Sequence, residues 1–482
     1  MALEPSASRE PLSEISTMPA GIVLGIPPAI LNLIQTNLLV RAFHDALVPQ
    51  MLYRADALWE EWVAQVGVQI IMSRAGLLQP AIVPLVSGQD PTPKTLTYEQ
   101  WVVTMQRYGD TMDTHMPTSV LSNADQFSRN IQQQGIQAGM TLNRVPRNVL
   151  FQSYISGQTM STVITASSDT VIQVASVNGF TDVVNAATNV RPVPVSSANP
   201  LAIRIPFGGS YLTNTVVGVQ LNNPADPNSP GTLYLGAAIG QIVPVRTPVL
   251  STVAPLVIRS GGGLGVDAIT AADTLTLQDI KNAVQVLRTN SVQPHDDGWF
   301  HGHLPPVMDA EIFSDPAWQR LNTALPDHSN YKQGWVNPVL GVMFVMNNDS
   351  PTTATTIGQV STGNAGATYA FDIGGEVVNN LGVSINRCVI TGKGTLIERG
   401  FDETQYIGEA GVTGKMGEFA IVNNGLAIGT DGVRLVIRSP IDRLQDVVSH
   451  TWSASTAFAC PSDITATLSP ARYKRAVVIE SA

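Results

Sequence analysis

Tyr98 to Gly157 is the stretch that most restricts what this chain can fold into. It opens with Tyr98 to Asp113, rich in β-branched and aromatic residues and ending in Tyr108-Gly109-Asp110. That composition predicts a strand closed by a turn. The period then changes: Phe127, Ile131, Ala138, Leu142, Val145 and Val149 recur at the spacing of one helix face. Ser122 or Asn123 is placed to cap the helix and Gly157 to end it. A helix of about thirty residues spans about 45 Å, long for a globular enzyme and natural for a scaffold rod. Pro146 lies inside it, which predicts a kink or a break near Val145.

The composition narrows the setting. A chain of 482 residues has length for about two to four structural units with buried cores. Charged residues make up 13%, against about 25% in ordinary globular proteins. The polar surface is therefore mostly Ser, Thr, Asn and Gln, as in a chain that buries much surface against partners or in a β-rich extracellular-type protein. The formal charge of -10 speaks against a large DNA-binding face, which needs clustered Lys and Arg. It is compatible with a shell that merely encloses DNA. Cys388 and Cys460 show no metal-type spacing and read as buried thiols in a reducing cytoplasm. No basic-then-apolar run follows Met1, which argues against a signal peptide. The apolar segment Ile22 to Ile34 contains Gly25, Pro27 and Pro28 and is too short for a bilayer, so no membrane association is expected.

Along the chain, residues 1 to about 20 are polar, proline-containing and aperiodic, a disorder signature. Pro28 to Ala75 reads as helical and strongly apolar, divided by Pro49, with Trp59 and Trp62 near its end. Residues 79–97 hold Pro80, Pro84, Pro91 and Pro93 around a Ser87-Gly88-Gln89-Asp90 turn, an exposed two-stranded excursion with its tip near Asp90. Residues 158–262 contain no Lys or Glu and alternate as short strands, for example Leu201/Ile203/Ile205/Phe207, which predicts a small antiparallel sandwich or barrel. From Asp273 a helix returns, with Thr274 as its cap and Leu277, Ile280, Val284 and Leu287 as its face. Residues 274–318 then read as helix, loop, buried strand and helix, and strands dominate from Trp335 to the end, interrupted by a Thr/Gly-rich excursion over 350–381.

The order of strand, QRYGD turn, short acidic link and long helix resembles the major capsid proteins of tailed bacteriophages with the HK97-like fold, nearest to the branch containing the phage N4 coat protein. The resemblance covers roughly residues 70–157 and 270–480. It implies an α+β HK97-like capsid fold: an N-terminal arm (1–75), an E-loop and P-domain strand (76–113), and a spine-helix region (114–157). An inserted antiparallel β-sandwich or barrel (158–262), an A-domain (263–382) and a P-domain return with closing strands (383–482) complete it. The simpler members of the family lack a counterpart of 158–262. The resemblance makes 79–97 a loop that laps onto a neighbouring subunit, and gives Trp59, Trp62, Asp90, Lys94, Trp101, Arg107, Tyr108 and Asp110 as contact residues. Arg107 and Asp110 could pair within the chain or across subunits. Some branches crosslink a Lys to an Asn of a neighbour; Lys94 lies near the loop tip, but no partner for it can be named.

Three constellations could carry chemistry. His295, Asp296, Asp297, His301, His303 and Asp309 are dense in ligand atoms, and His301 and His303 share a face if they lie on a strand. Without a Glu-x-x-His or HExxH pattern they read better as a turn and a strand end than as a metal site. Thr391-Gly392-Lys393-Gly394-Thr395 lacks the glycine five residues before its Gly-Lys pair, Arg387 standing there, and reads as a hairpin turn rather than a phosphate loop. Glu398, Asp402, Glu403 and Glu409 read as a polar loop rather than a glycosidase pair. No catalytic residue, cofactor site or metal site is therefore assigned.

The expected function is a non-enzymatic major capsid protein that self-assembles into an icosahedral shell around double-stranded DNA. Its expected partners are copies of itself in hexamers and pentamers, scaffold, portal and decoration proteins, and packaged DNA contacted non-specifically. It is expected in the virion capsid, after assembly in the bacterial host cytoplasm. The alternatives are a carbohydrate-binding or adhesive β-rich tail or spike protein, and a hydrolase built on the His295–Asp309 group.

Overall fold

The computed structural model describes residues 38–62, 67–75, 84, 88, 90, 98–121, 126–184, 192–224, 228–323, 338–349, 383–401, 414–416, 419–422, 425–430, 432–438, 443–444, 446–464 and 471–482. Helices and several separate sheets make it an α+β protein. The chain divides into two compact units, one of Met1–Met51, Gln106–Thr141 and Gly400–Thr456, the other of Leu52–Met105, Leu142–Arg399 and Ala457–Ala482. The long helix, Gln126–Tyr154, contributes to both.

In the first unit the strand Gln106–His115 pairs antiparallel with Val447–Ala459, from Gln106 opposite Thr456 to His115 opposite Val447. Val433–Arg438, Gly425–Thr430, Phe419–Val422 and Gly414–Met416 extend the sheet as an antiparallel meander. Alternation puts Val433, Leu435 and Ile437 on the buried face beside Val448, His450 and Trp452. The long helix packs there. Phe127 meets the His450 ring edge-on at 5.7 Å, and Gln134 Nε2 donates to the His450 carbonyl at 2.9 Å. The helix Leu38–Leu47 crosses the long helix at Gly135 and Gly139. A Cβ at either position would lie 2.8 Å from Phe43 O or 2.6 Å from Leu47 O, so glycine permits this approach.

Gly109 departs from expectation. It closes no turn but sits mid-strand opposite Ser453, where a Cβ would lie 2.6 Å from the Trp452 carbonyl. Pro146 departs likewise: the helix continues through it to Tyr154. Leu142, Leu150 and Phe151 are buried on either side, so tertiary packing outweighs the one backbone bond proline forfeits. Gly157, at φ 70°, follows the helix end as the sequence suggests.

The second unit holds two larger sheets. A six-stranded antiparallel sheet has the order Gln158–Met160, Pro248–Ser251, Leu201–Phe207, Ser210–Leu221, Gly231–Leu235, Val171–Val174. Leu201, Ile203 and Ile205 point into a core with Ile172, Val216, Leu233 and Phe180. A Gly208-Gly209 turn, both at positive φ, closes its central hairpin, as tight hairpins require.

The other is a five-stranded mixed sheet, ordered Val257–Arg259, Ala476–Ser481, Asn386–Thr391, Phe300–Leu304, Val342–Met346. All six residues of each of the strands Asn386–Thr391 and Ala476–Ser481 are buried because both faces are covered. Cys388, Ile390, Val477 and Ile479 pack under the helix Leu277–Thr289, while Val389, Val478 and Ala476 pack against Leu150, Phe151 and Tyr154 of the long helix. Thr276, rather than Thr274, caps Leu277–Thr289: its hydroxyl accepts from Asp279 N while the Asp279 carboxylate takes the Thr276 N–H. Cys388 and Cys460 are free and buried, and burial pushes both thiols up to about 12.

The helical reading of 28–75 holds only in part. After Leu38–Leu47 comes a Pro49-containing turn, one helical turn at Leu52–Ala55, and then the strands Leu58–Glu61 and Gln69–Ala75. The latter forms a two-stranded antiparallel ladder with Tyr98–Thr104. Lys94, most of 79–97 and the 350–381 excursion lie outside the described residues.

Candidate functional site: a bare ladder, a set of contact residues and a histidine–aspartate cluster

The Gln69–Ala75/Tyr98–Thr104 ladder is two-faced. On its inner face Met72, Val103 and Glu99 are buried. The Glu99 carboxylate accepts the Ser462 hydroxyl at 2.9 Å and the backbone N–H groups of Asp463 and Ile464 at 3.3 and 3.2 Å. Burial and the nearby Asp463 carboxylate raise its pKa. On the outer face Ile71 stands opposite Val102, the Ser73–Gln100 pair comes next, and Tyr98 follows opposite Ala75. Ile71, Val102 and Tyr98 are 55%, 60% and 54% exposed.

The contact residues inferred from sequence fall in different surroundings. In the second unit Trp59 is half-exposed under the Arg54 guanidinium, 6.0 Å from its ring centroid, whereas Trp62 is buried. Trp101 is partly buried, and Asp90 is exposed. In the first unit Arg107 Nη2 donates to Ser453 Oγ at 3.4 Å, and Tyr108 Oη to Gln106 Oε1 at 3.1 Å. Asp110 accepts Gln137 Nε2 at 2.5 Å and its neighbour Thr111 N at 2.8 Å. The Asp110 carboxylate thus ties the strand to the long helix.

The histidines do converge, but on a residue no local pattern singled out. His301 and His303 share a face of the strand Phe300–Leu304 and meet the two oxygens of Asp56: His301 Nδ1 lies 2.6 Å from Oδ1 and His303 Nε2 2.8 Å from Oδ2. Asp56 follows Arg54, which pairs with Glu398 at 2.8 Å, so the segment is pinned from both sides. His301 Nε2 reaches Asp297 Oδ2 at 2.8 Å, so each of its nitrogens faces a carboxylate. Burial lowers its pKa, but those carboxylates outweigh burial and raise it to about 9. For Asp56 burial acts upward, and the His303 and His301 rings more than reverse it, holding the carboxyl well below the usual range. Tyr53 stacks on His303 at 4.2 Å, and His295, its pKa lowered by burial, stacks on His301 at 4.1 Å and 8°. Asp56, His295 and His301 offer atoms within 4.8 Å of one another. Yet His301 has no free lone pair, and the parallel rings present faces rather than converging nitrogens. The group fits a charge network better than a metal centre.

The Thr391–Thr395 segment is a turn with Gly394 at φ 70°, and Lys393 pairs with Asp296. Asp402, Glu403 and Glu409 lie outside the described residues. Among the described residues no helix is long and apolar enough to cross a membrane.

No family model and no curated protein matches the chain. Solved structures do. A capsid asymmetric unit of cyanophage Pam1 is 9% identical, over 100% of this chain and 98% of that one, at a TM-score of 0.45. The capsid of Ralstonia phage GP4 is 10% identical over 88% and 86%, at 0.44. The mature capsid asymmetric unit of bacteriophage PhiM1 is 9% identical over 89% and 87%, at 0.40.

Proposed function

We propose that the chain is a major capsid protein of a tailed double-stranded DNA phage, of the HK97-like fold and nearest to the N4-type branch. In this reading subunits tile into hexamers and pentamers of an icosahedral shell assembled in the host cytoplasm. Scaffold, portal and decoration proteins are further partners, and the genome is contacted non-specifically. The role is structural rather than enzymatic.

The observation that carries the reading is the bare outer face of the Gln69–Ala75/Tyr98–Thr104 ladder. A two-stranded ladder is marginal alone in water, and a contiguous exposed apolar face marks an interaction surface. Here Ile71 and Val102 form an exposed apolar pair and Tyr98 is exposed on the same face beyond Ser73 and Gln100, while Glu99 anchors the opposite face. The 29-residue helix, which follows the ten-residue strand after the short helix Met116–Leu121, supports the same reading. Residues 158–262, with no Lys or Glu, belong on the outer surface of such a shell, because an inner domain facing DNA would carry cations.

Sedimentation velocity of Ile71→Asp tests the assembly role. Large assemblies of the unsubstituted chain reduced to small species, with an unchanged circular dichroism spectrum, are expected. Undiminished assembly by the variant contradicts the role assigned to this face.

A further inference from the structure

The second unit contains a cavity of about 40 Å³ between the long helix end, the six-stranded sheet and the mixed sheet, lined in part by Gln158, Arg259, Arg387 and Glu480. Its charges do not balance. The side chains of Arg259, Arg387 and Glu480 are 7%, 2% and 0% exposed. Glu480 faces both guanidiniums: Arg387 Nε donates to its Oε1 at 2.9 Å, and Arg259 Nε lies 2.8 Å from its Oε2. Burial would raise the Glu480 pKa, but the two arginines outweigh burial and lower it, so the carboxylate stays ionised. Two cations against one anion leave one buried positive charge.

The donors do not balance either. Arg259 donates Nη1 to the Leu264 carbonyl at 3.0 Å and Nη2 to Gln158 Oε1 at 2.9 Å. Gln158 is held in turn by the Pro255 carbonyl, at 2.8 Å from its Nε2. Arg387 Nη1, wholly buried, has no hydrogen-bond partner among the described residues. An uncompensated buried charge costs several kcal/mol, and a buried cationic donor left unmade adds to that.

From this juxtaposition of an unpaired Arg387 donor, a surplus positive charge and a cavity, we infer that the second unit binds one small inorganic anion between Arg387 and Arg259. The volume suits it. A water needs roughly 10–15 Å³ on this measure, so the cavity has room for about three waters, or for a halide or a compact oxyanion. A whole nucleotide does not fit within it. The anion would satisfy Arg387 Nη1 with a charge-assisted bond, which a neutral water cannot match. The inference is independent of the capsid reading.

Thermal unfolding of the full chain at constant ionic strength tests it, with sodium chloride, sodium phosphate and the bulky isethionate as titrants. Chloride or phosphate should raise Tm along a saturating curve, by about 3–6 °C at a hundredfold excess over the half-saturating concentration. Isethionate should not. Saturation with chloride alone assigns the site to halide, and with phosphate alone to oxyanion. A rise that stays linear, or that is equal in all three salts, reports general salt effects and overturns the inference. Line broadening of 35Cl by the unsubstituted chain, displaced by phosphate and lost in Arg387→Met, is the corresponding direct signal. Where chloride saturates the Tm curve, equal broadening by both chains would place the bound chloride elsewhere and sink the proposal.

Discussion

Asp56 Oδ1 lies 2.6 Å from Nδ1 of His301, a residue 245 positions further along the chain. The contact ties the segment after Tyr53 to the mixed sheet by charge, and its strength must follow pH. The folded-state pKa of His301 is raised to about 9, above the ordinary histidine value of about 6.5. The stabilisation is therefore complete below about pH 6.5 and is lost as pH rises through 9. His301 is partly exposed, which limits the effect to about 1–2 kcal/mol. Urea unfolding at pH 6 and pH 9 should show that loss in the unsubstituted chain. In Asp56→Asn the difference should shrink to a small residue left by Asp297.

Gly109 and Gly139 carry a second prediction. Ordinarily alanine stabilises a helix by about 1 kcal/mol over glycine. At Gly139 the new Cβ would press within 2.6 Å of a backbone oxygen, which cannot rotate away. The clash should win, and Gly139→Ala should lose about 1–2 kcal/mol in chemical denaturation. Gly109→Ala meets the Trp452 carbonyl at the same distance and should lose about 1–3 kcal/mol.

Thr276 offers a local test of the helix Leu277–Thr289. Thr276→Ala removes the hydroxyl half of the capping box, leaving the Asp279 carboxylate on the backbone N–H of residue 276, and should cost about 1 kcal/mol in unfolding free energy, whereas Thr274→Ala should be close to silent. Equal losses at the two positions would return the cap to Thr274.

What the sequence could announce was what lies close along the chain. The long helix showed in the spacing of Phe127, Ile131, Ala138 and Leu142, all of them buried, and its end showed in Gly157. The β pattern of Leu201, Ile203 and Ile205 became alternating burial in a sheet. Local rules misled where a distant partner decided the outcome. Gly109 looked like a turn because glycine usually frees φ; here it makes room for the Trp452 carbonyl on a strand more than 300 residues away. Asp56 had no local signature, since its partners are two histidines beyond residue 300. Nor did Glu480 stand out: a carboxylate in a run of buried β-branched residues makes sense only once Arg259 and Arg387 are seen around it. The bare face of Ile71 and Val102 was hidden for the opposite reason. Its alternation is that of any half-buried strand, and only the register shows which face was left uncovered.

Electron microscopy of the purified full-length chain, alone and mixed with candidate scaffold and portal partners, bears most directly on the central claim. Closed shells, or five- and six-membered rings, are the expected result, with the Gln69–Ala75/Tyr98–Thr104 ladder at contacts between copies. A chain that stays monomeric under every assembly condition, with that ladder open to solvent, would contradict the capsid assignment.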